Sequence, residues 1–138
     1  MNRIHTPGRY IIIFILLLIF VAQGCDKKND DYSSIAGEWI IEDTGEQSGW
    51  RQYTVSIQRV PVDSLQYAIN NFYRTGINNE LRIEVSGYDI LIRPQLLGDY
   101  SIEGSGTIEP DYKTVVLEYE VRGGSVGFEN VFSTLKRD

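Results

Sequence analysis

The sequence holds one histidine, His5, one cysteine, Cys25, and one methionine, Met1. Each scarcity removes a class of chemistry. Nucleophilic catalysis of the Ser-His or Cys-His type needs a base set against the nucleophile, and a lone His near the N-terminus leaves none for the body of the chain. Zinc sites built from His and Cys fall for the same reason. One Cys cannot close an intramolecular disulfide, so the fold must hold by its core alone, which is feasible at this length. Basic residues are also few, 13 Lys and Arg against 19 Asp and Glu, for a net charge of −6. Without a basic stripe, nucleic acid is excluded as a partner, because phosphate contacts need clustered Lys and Arg. No spaced Asp loop of the EF-hand kind is present, and Asn29-Asp30-Asp31 reads as a solvated stretch, so no metal and no cofactor are expected.

The long apolar run is confined to Ile11 to Ala22, preceded by a segment with Arg3 and Arg9 and no acid. A basic n-region, a short h-region and small residues before a cleavage point make a secretory signal, and the run is short for a spanning helix. Val21-Ala22-Gln23-Gly24-Cys25 resembles the lipobox of bacterial lipoproteins, with Val21 where Leu is usual. The resemblance implies cleavage after Gly24 and lipid on the sulfur of Cys25. More than one acyl chain gives stable anchoring where a single chain would be marginal. Cleavage removes His5, and it removes only basic charge, so the mature chain is more acidic still. Residues 26–34 are polar and aperiodic, a tether. Lys27 and Lys28 followed by Asp30 and Asp31, with Asn29 between, resemble the surface-export signal of lipoproteins in Bacteroides-type bacteria. The expected organisation is a signal peptide at 1–24, a lipidated Cys and tether at 25–34, and one domain at 35–138. The expected location is the cell envelope, anchored by lipid to the outer membrane at its periplasmic face or the cell surface.

From Ile35 onward the chain alternates apolar and polar residues, the period-two mark of half-buried strands. Tyr53, Val55 and Ile57 lie on one side, with Gln52, Thr54 and Ser56 on the other. Leu81, Ile83 and Val85 alternate with Arg82 and Glu84, and Val115, Leu117, Tyr119 and Val121 with Val116, Glu118 and Glu120. Turn residues punctuate these runs: Thr44 to Gly49, Pro61 to Ser64, Ser86-Gly87, Pro94 to Asp99, Glu109-Pro110-Asp111 and Gly123-Gly124-Ser125. Strands are predicted at 37–42, 51–59, 65–71, 80–86, 88–93, 100–108, 114–122 and 127–135. Residues 63–73 also fit a short helix, since Leu65, Ala68, Ile69 and Phe72 share a helical face; strand is preferred. Short sequential connections favour an all-β, antiparallel, eight-stranded up-and-down barrel, which removes exposed edges. Gly104-Ser105-Gly106 lacks the Gly-Lys-Ser/Thr of a phosphate loop and sits within a strand pattern, so it marks a bend where the barrel curls.

Gly37-Glu38-Trp39 resembles the Gly-x-Trp opening of lipocalins and related calycin barrels, in which the Trp packs across the closed end. The segments Ile69 to Phe72, Ile90 to Gln95, Ile102 to Ile108 and Leu117 to Val121 look like those of small lipocalin-like lipoproteins of Bacteroides-type bacteria. Eight strands enclose room for side chains alone or for one small ligand. Trp39, Tyr53, Tyr100, Tyr119 and Phe132 fall in or near the apolar phase of their strands and are the candidate ligand-binding residues. The resemblance thus implies a small apolar or amphipathic ligand within the barrel. The alternative is an envelope protein that binds a protein or glycan through its outer surface and loops, with Trp50, Tyr73 and Tyr112 near predicted loops. Glu84, Glu118 and Glu120 face solvent by phase, and Glu103 and Glu109 flank the glycine-rich strand. No pair of acids stands out, and no enzymatic activity is expected.

Overall fold

The structure is a computed structural model whose described residues are 34–138. The expected signal peptide, Cys25 and the tether up to residue 33 lie outside the described residues. Eight strands follow in order: β1 (Gly37–Gly45), β2 (Gly49–Arg59), β3 (Gln66–Asn70), β4 (Glu80–Ser86), β5 (Asp89–Leu97), β6 (Tyr100–Ile108), β7 (Thr114–Gly123) and β8 (Gly127–Lys136). Each pairs antiparallel with its sequence neighbour, and β1 pairs with β8, so the sheet closes into an up-and-down barrel. This is the expected architecture.

Alternation decides what fills it. Trp39 and Ile41 on β1, Val55 and Ile57 on β2, Leu81 and Ile83 on β4, Val115, Leu117 and Val121 on β7, and Val131 and Leu135 on β8 are all buried. The intervening residues are mostly exposed, and many are charged. A membrane-spanning barrel has the reverse arrangement, an apolar outside and a polar inside, so these strands do not cross a bilayer. The large side chains of Trp39, Phe72, Ile57, Leu81, Ile102 and Leu117 are all fully buried and occupy the interior. Gly104 and Gly106 are where β6 lies hard against β7. A Cβ on Gly104 would come within 2.3 Å of Glu118 O, and one on Gly106 within 2.3 Å of Val116 O. The bend expected there is this close approach.

Four features differ from expectation, each for a local reason. β1 continues through Gly45 and β2 starts at Gly49, because the two run as one tight hairpin, Gly45 opposite Gly49. Trp50 therefore lies on a strand. Residues 63–73 divide: β3 holds only Gln66–Asn70, and a single 3-10 turn, Phe72–Arg74, follows. β5 runs on through Pro94, which has no N–H to give and sits at a register shift between Ile92 and Gln95. Phe132 is out of phase with the interior, because Val131 and Ser133 are the inward residues of β8.

The barrel wall is thinnest between β4 and β5, which share only the pairs Glu84–Leu91, Val85–Ile90 and Ser86–Asp89. Beyond them the Gln95 side chain substitutes for backbone. Its Oε1 accepts from Arg82 N (2.8 Å) and its Nε2 donates to Arg82 O (2.7 Å). Arg93 donates to both carboxylate oxygens of Glu84 across the same seam, at 2.6 and 3.0 Å.

Candidate functional site

The two ends of the barrel differ in chemistry. Trp39 closes the end where β1 begins. Its indole Nε1 donates to Ile35 O (2.8 Å), and the Arg137 guanidinium lies 4.7 Å from its ring centre. Arg137 also donates to the carbonyls of Tyr112 (2.8 Å), Ala36 (3.0 Å) and Ser34 (2.8 Å), tying the segment before β1 and the residue after β8 to the β6–β7 turn. This end is sealed.

At the other end the interior turns polar. Asp43, Glu129 and Ser133 are fully buried there. Asp43 continues the inward phase of Trp39 and Ile41, and Glu129 that of Val131, Ser133 and Leu135, so alternation could have found both. The sequence pattern ends β1 at residue 42, three residues short of Gly45, which leaves Asp43 outside the strand, and an acid within a strand pattern suggests the surface, which hides Glu129. Asp43 Oδ2 accepts from Tyr53 (2.6 Å) and Arg51 Nη2 (3.2 Å), and its Oδ1 from Ser133 (2.5 Å), whose hydroxyl lies 3.3 Å from that of Tyr119. Glu129 accepts from the backbone N–H groups of Gln47 (3.0 Å) and Ser48 (2.9 Å) and from the hydroxyl of Tyr73. It thereby joins β8 to the β1–β2 turn and to the β3–β4 connection.

That connection forms a plug. Phe72 and Tyr73 are buried, Phe72 against Tyr119 at 4.9 Å between ring centres and Tyr73 against Tyr100 at 5.0 Å. Arg51 covers the Tyr73 ring at 4.2 Å. The insertion strains the backbone: Asn71, Tyr73 and Arg74 take φ of 62°, 54° and 60°, a region that L-residues avoid.

The electrostatics follow from burial. Burial, then the bond to Glu129, pushes the Tyr73 hydroxyl up to about 12. Burial, then the nearby Asp43 carboxylate, holds Tyr53 and Tyr119 well above the ordinary phenol range. All three are donors at neutral pH. Burial opposes the charge on Glu129, but the hydrogen bonds from Tyr73, Ser48 and Gln47 outweigh it and hold the carboxyl below its usual value. Burial likewise opposes the charge on Arg51, and Asp43 together with Tyr73, Tyr53 and Tyr119 more than offsets it. Each carboxylate is engaged by three donors.

Above this cluster opens a mouth pocket of about 540 Å³, lined by Gln47, Ser48, Arg51, Tyr73, Arg74, Tyr100, Ser125 and Val126. A larger groove, about 920 Å³, runs over the outer wall across β5 to β8 and the end of β1, with Leu91 and Phe132 exposed in it.

The residues singled out from the sequence therefore separate. Trp39 is at the sealed end. Tyr53 and Tyr119 belong to the polar cluster, and Tyr100 lines the mouth. Phe132 faces outward, 47% exposed, on the outer-wall groove. Trp50, Tyr73 and Tyr112 form no common patch: Trp50 is 64% exposed, Tyr73 is buried, and Tyr112 packs by Tyr88 at the sealed end. Cys25 lies outside the described residues.

No family model matches the sequence, and no curated protein matches it. Among solved structures, a redesigned β-barrel matches with a TM-score of 0.50 at 12% identity, over 78% of this chain and 94% of that one. At that identity the likeness is one of fold alone: a closed, eight-stranded antiparallel barrel that fits a calycin-like architecture.

Proposed function

We propose that the chain is a lipid-anchored lipoprotein of the cell envelope that binds a small ligand at the polar mouth of its barrel, without turning it over. The observation that carries this reading is the mouth pocket itself. Side chains fill the interior, and the pocket opens over Arg51 and Tyr73 at the end opposite Ile35. The lipobox-like Val21 to Cys25 supports the anchor. A packed interior shifts the expected ligand from within the barrel to its rim, where Tyr100 remains half-buried and accessible.

Native mass spectrometry with organic extraction, on the full chain in detergent, tests the binding. The expected result is one small molecule per chain, lost when Ser125→Trp fills the mouth. Retention unchanged by that substitution would contradict the site. A chain that is empty as isolated would favour the second reading, a protein or glycan partner on the outer-wall groove beside Phe132 and Leu91. The anchor has its own test: Cys25→Ser should abolish fatty-acid labelling, and normal labelling would overturn it.

A further inference from the structure

We infer that the mouth recognises a small, hydroxyl-rich carboxylate, the chemistry of an acidic sugar; this rests on the mouth being the binding site. The chain as a whole is acidic, with 19 acids against 13 bases. Yet the mouth pocket is lined by two arginines and no carboxylate. Glu129 lies beneath it, buried and engaged by Tyr73 and two backbone N–H groups. Asp43 is likewise buried and engaged by Tyr53, Ser133 and Arg51. A ligand in the pocket therefore meets no acid, and of the two guanidinium charges Arg51's is paired from beneath with Asp43 while Arg74's is left for the ligand.

The two arginines are unequal. Arg51 is held by Asp43 through one nitrogen, and its Nε–H is buried without an acceptor among the described residues. Buried donors are nearly always paired, so an unmet one beside a pocket calls for an explanation. Arg74 is exposed and forms no ion pair among the described residues. It is also one of three residues in four that hold positive φ, where glycine would sit without strain. An arginine kept at such a position presents its guanidinium at the rim at a cost to the backbone. A planar guanidinium matches a carboxylate through two parallel N–H bonds. Around it, the side-chain carbonyl of Gln47, whose Nε2 donates to Phe128 O (2.8 Å), and the hydroxyls of Ser125 and Tyr100 supply partners for ligand hydroxyls. The volume lies in the range of small-molecule sites.

The test is calorimetry and amide NMR shift mapping on the full chain in detergent micelles, with glucuronate, glucose and inorganic phosphate as probes. Glucuronate is expected to move the amides of Ser48, Tyr73, Arg74, Tyr100 and Ser125, with glucose binding about tenfold weaker or more. Arg74→Gln should reduce the glucuronate preference to near unity, and Arg93→Gln on the outer wall should leave it unchanged. If glucose and glucuronate move the mouth amides equally, the inference fails and the mouth site stands. If phosphate binds as well as glucuronate, the sugar assignment fails and charge alone is read. If none of the probes moves the mouth amides, the inference fails, and the mouth site falls with it only if native mass spectrometry also finds no molecule that Ser125→Trp displaces.

Discussion

Both ends of the barrel are closed by the same device, an aromatic ring that hydrogen-bonds inward beneath an arginine. At one end Trp39 donates to the carbonyl of Ile35 under Arg137. At the other Tyr73 donates to the carboxylate of Glu129 under Arg51. The difference lies in what holds the ring. Trp39 sits on a regular strand, surrounded by apolar side chains and backbone carbonyls. Tyr73 sits on a turn with positive φ and rests on a buried charge. Stable closure needs only the first arrangement. The second strains the backbone and buries ionisable groups, as is common where a site must meet a ligand.

The largest effect should come from the sealed end. Trp39→Ala is expected to cost about 3–5 kcal/mol by denaturant unfolding, the range for large buried aromatics. A loss well under about 1 kcal/mol would mean that Arg137 and the segment before β1 close the barrel without the ring. Tyr73→Phe comes next. It leaves one oxygen of a buried carboxylate without its donor, for about 1–3 kcal/mol.

The same variant sharpens the comparison through pH. Glu129 has its folded value held down, so its contribution is complete above the ordinary carboxylate range and is lost as pH falls through the folded value. Removing the Tyr73 donor should move the acid unfolding midpoint to higher pH. At the alkaline end the sign reverses. Tyr73 has its folded value raised, so its contribution is complete below the ordinary phenol range, near 10, and disappears as pH rises towards about 12. Tyrosinate absorbance in the native state should accordingly show Tyr73 titrating late together with Tyr53 and Tyr119, and Tyr73→Phe should remove one tyrosine's share of that late rise.

The smallest effect has the opposite direction. Arg74→Gly relieves a left-handed conformation and is expected to stabilise the fold by about 1 kcal/mol. A destabilised Arg74→Gly variant would show that the Arg74 side chain packs for stability, and would weaken its assignment to the ligand.

Alternation made the barrel legible. Period-two runs such as Tyr53-Val55-Ile57 and Val115 to Val121 have one buried face only when paired, and short turns leave few topologies but the meander. The polar mouth was legible only in part. Tyr53, Tyr100 and Tyr119 were found by phase, but phase does not say which end of a strand a residue occupies. Asp43 and Glu129 share the inward phase, and reading them as interior requires accepting buried acids. Their partners, the Tyr73 hydroxyl and the backbone of Gln47 and Ser48, come together only in the folded chain. The plug could not be read at all: Phe72 and Tyr73 follow a strand five residues long, and their insertion depends on positive φ that their sequence disfavours. Phe132 was misread because its neighbours Val131 and Ser133 invert the phase that a large aromatic suggests.

Amide hydrogen exchange on the full chain tests most directly the claim that one end is a seal and the other a working mouth. The amides of Arg74, Thr75 and Gly76, bonded only within their own turn, should exchange through local opening. Those along the β1–β8 rungs near Ile41 and Leu135 should exchange only with global unfolding. Equal protection at the two ends would contradict the account, and so would faster opening at Trp39 than at Tyr73.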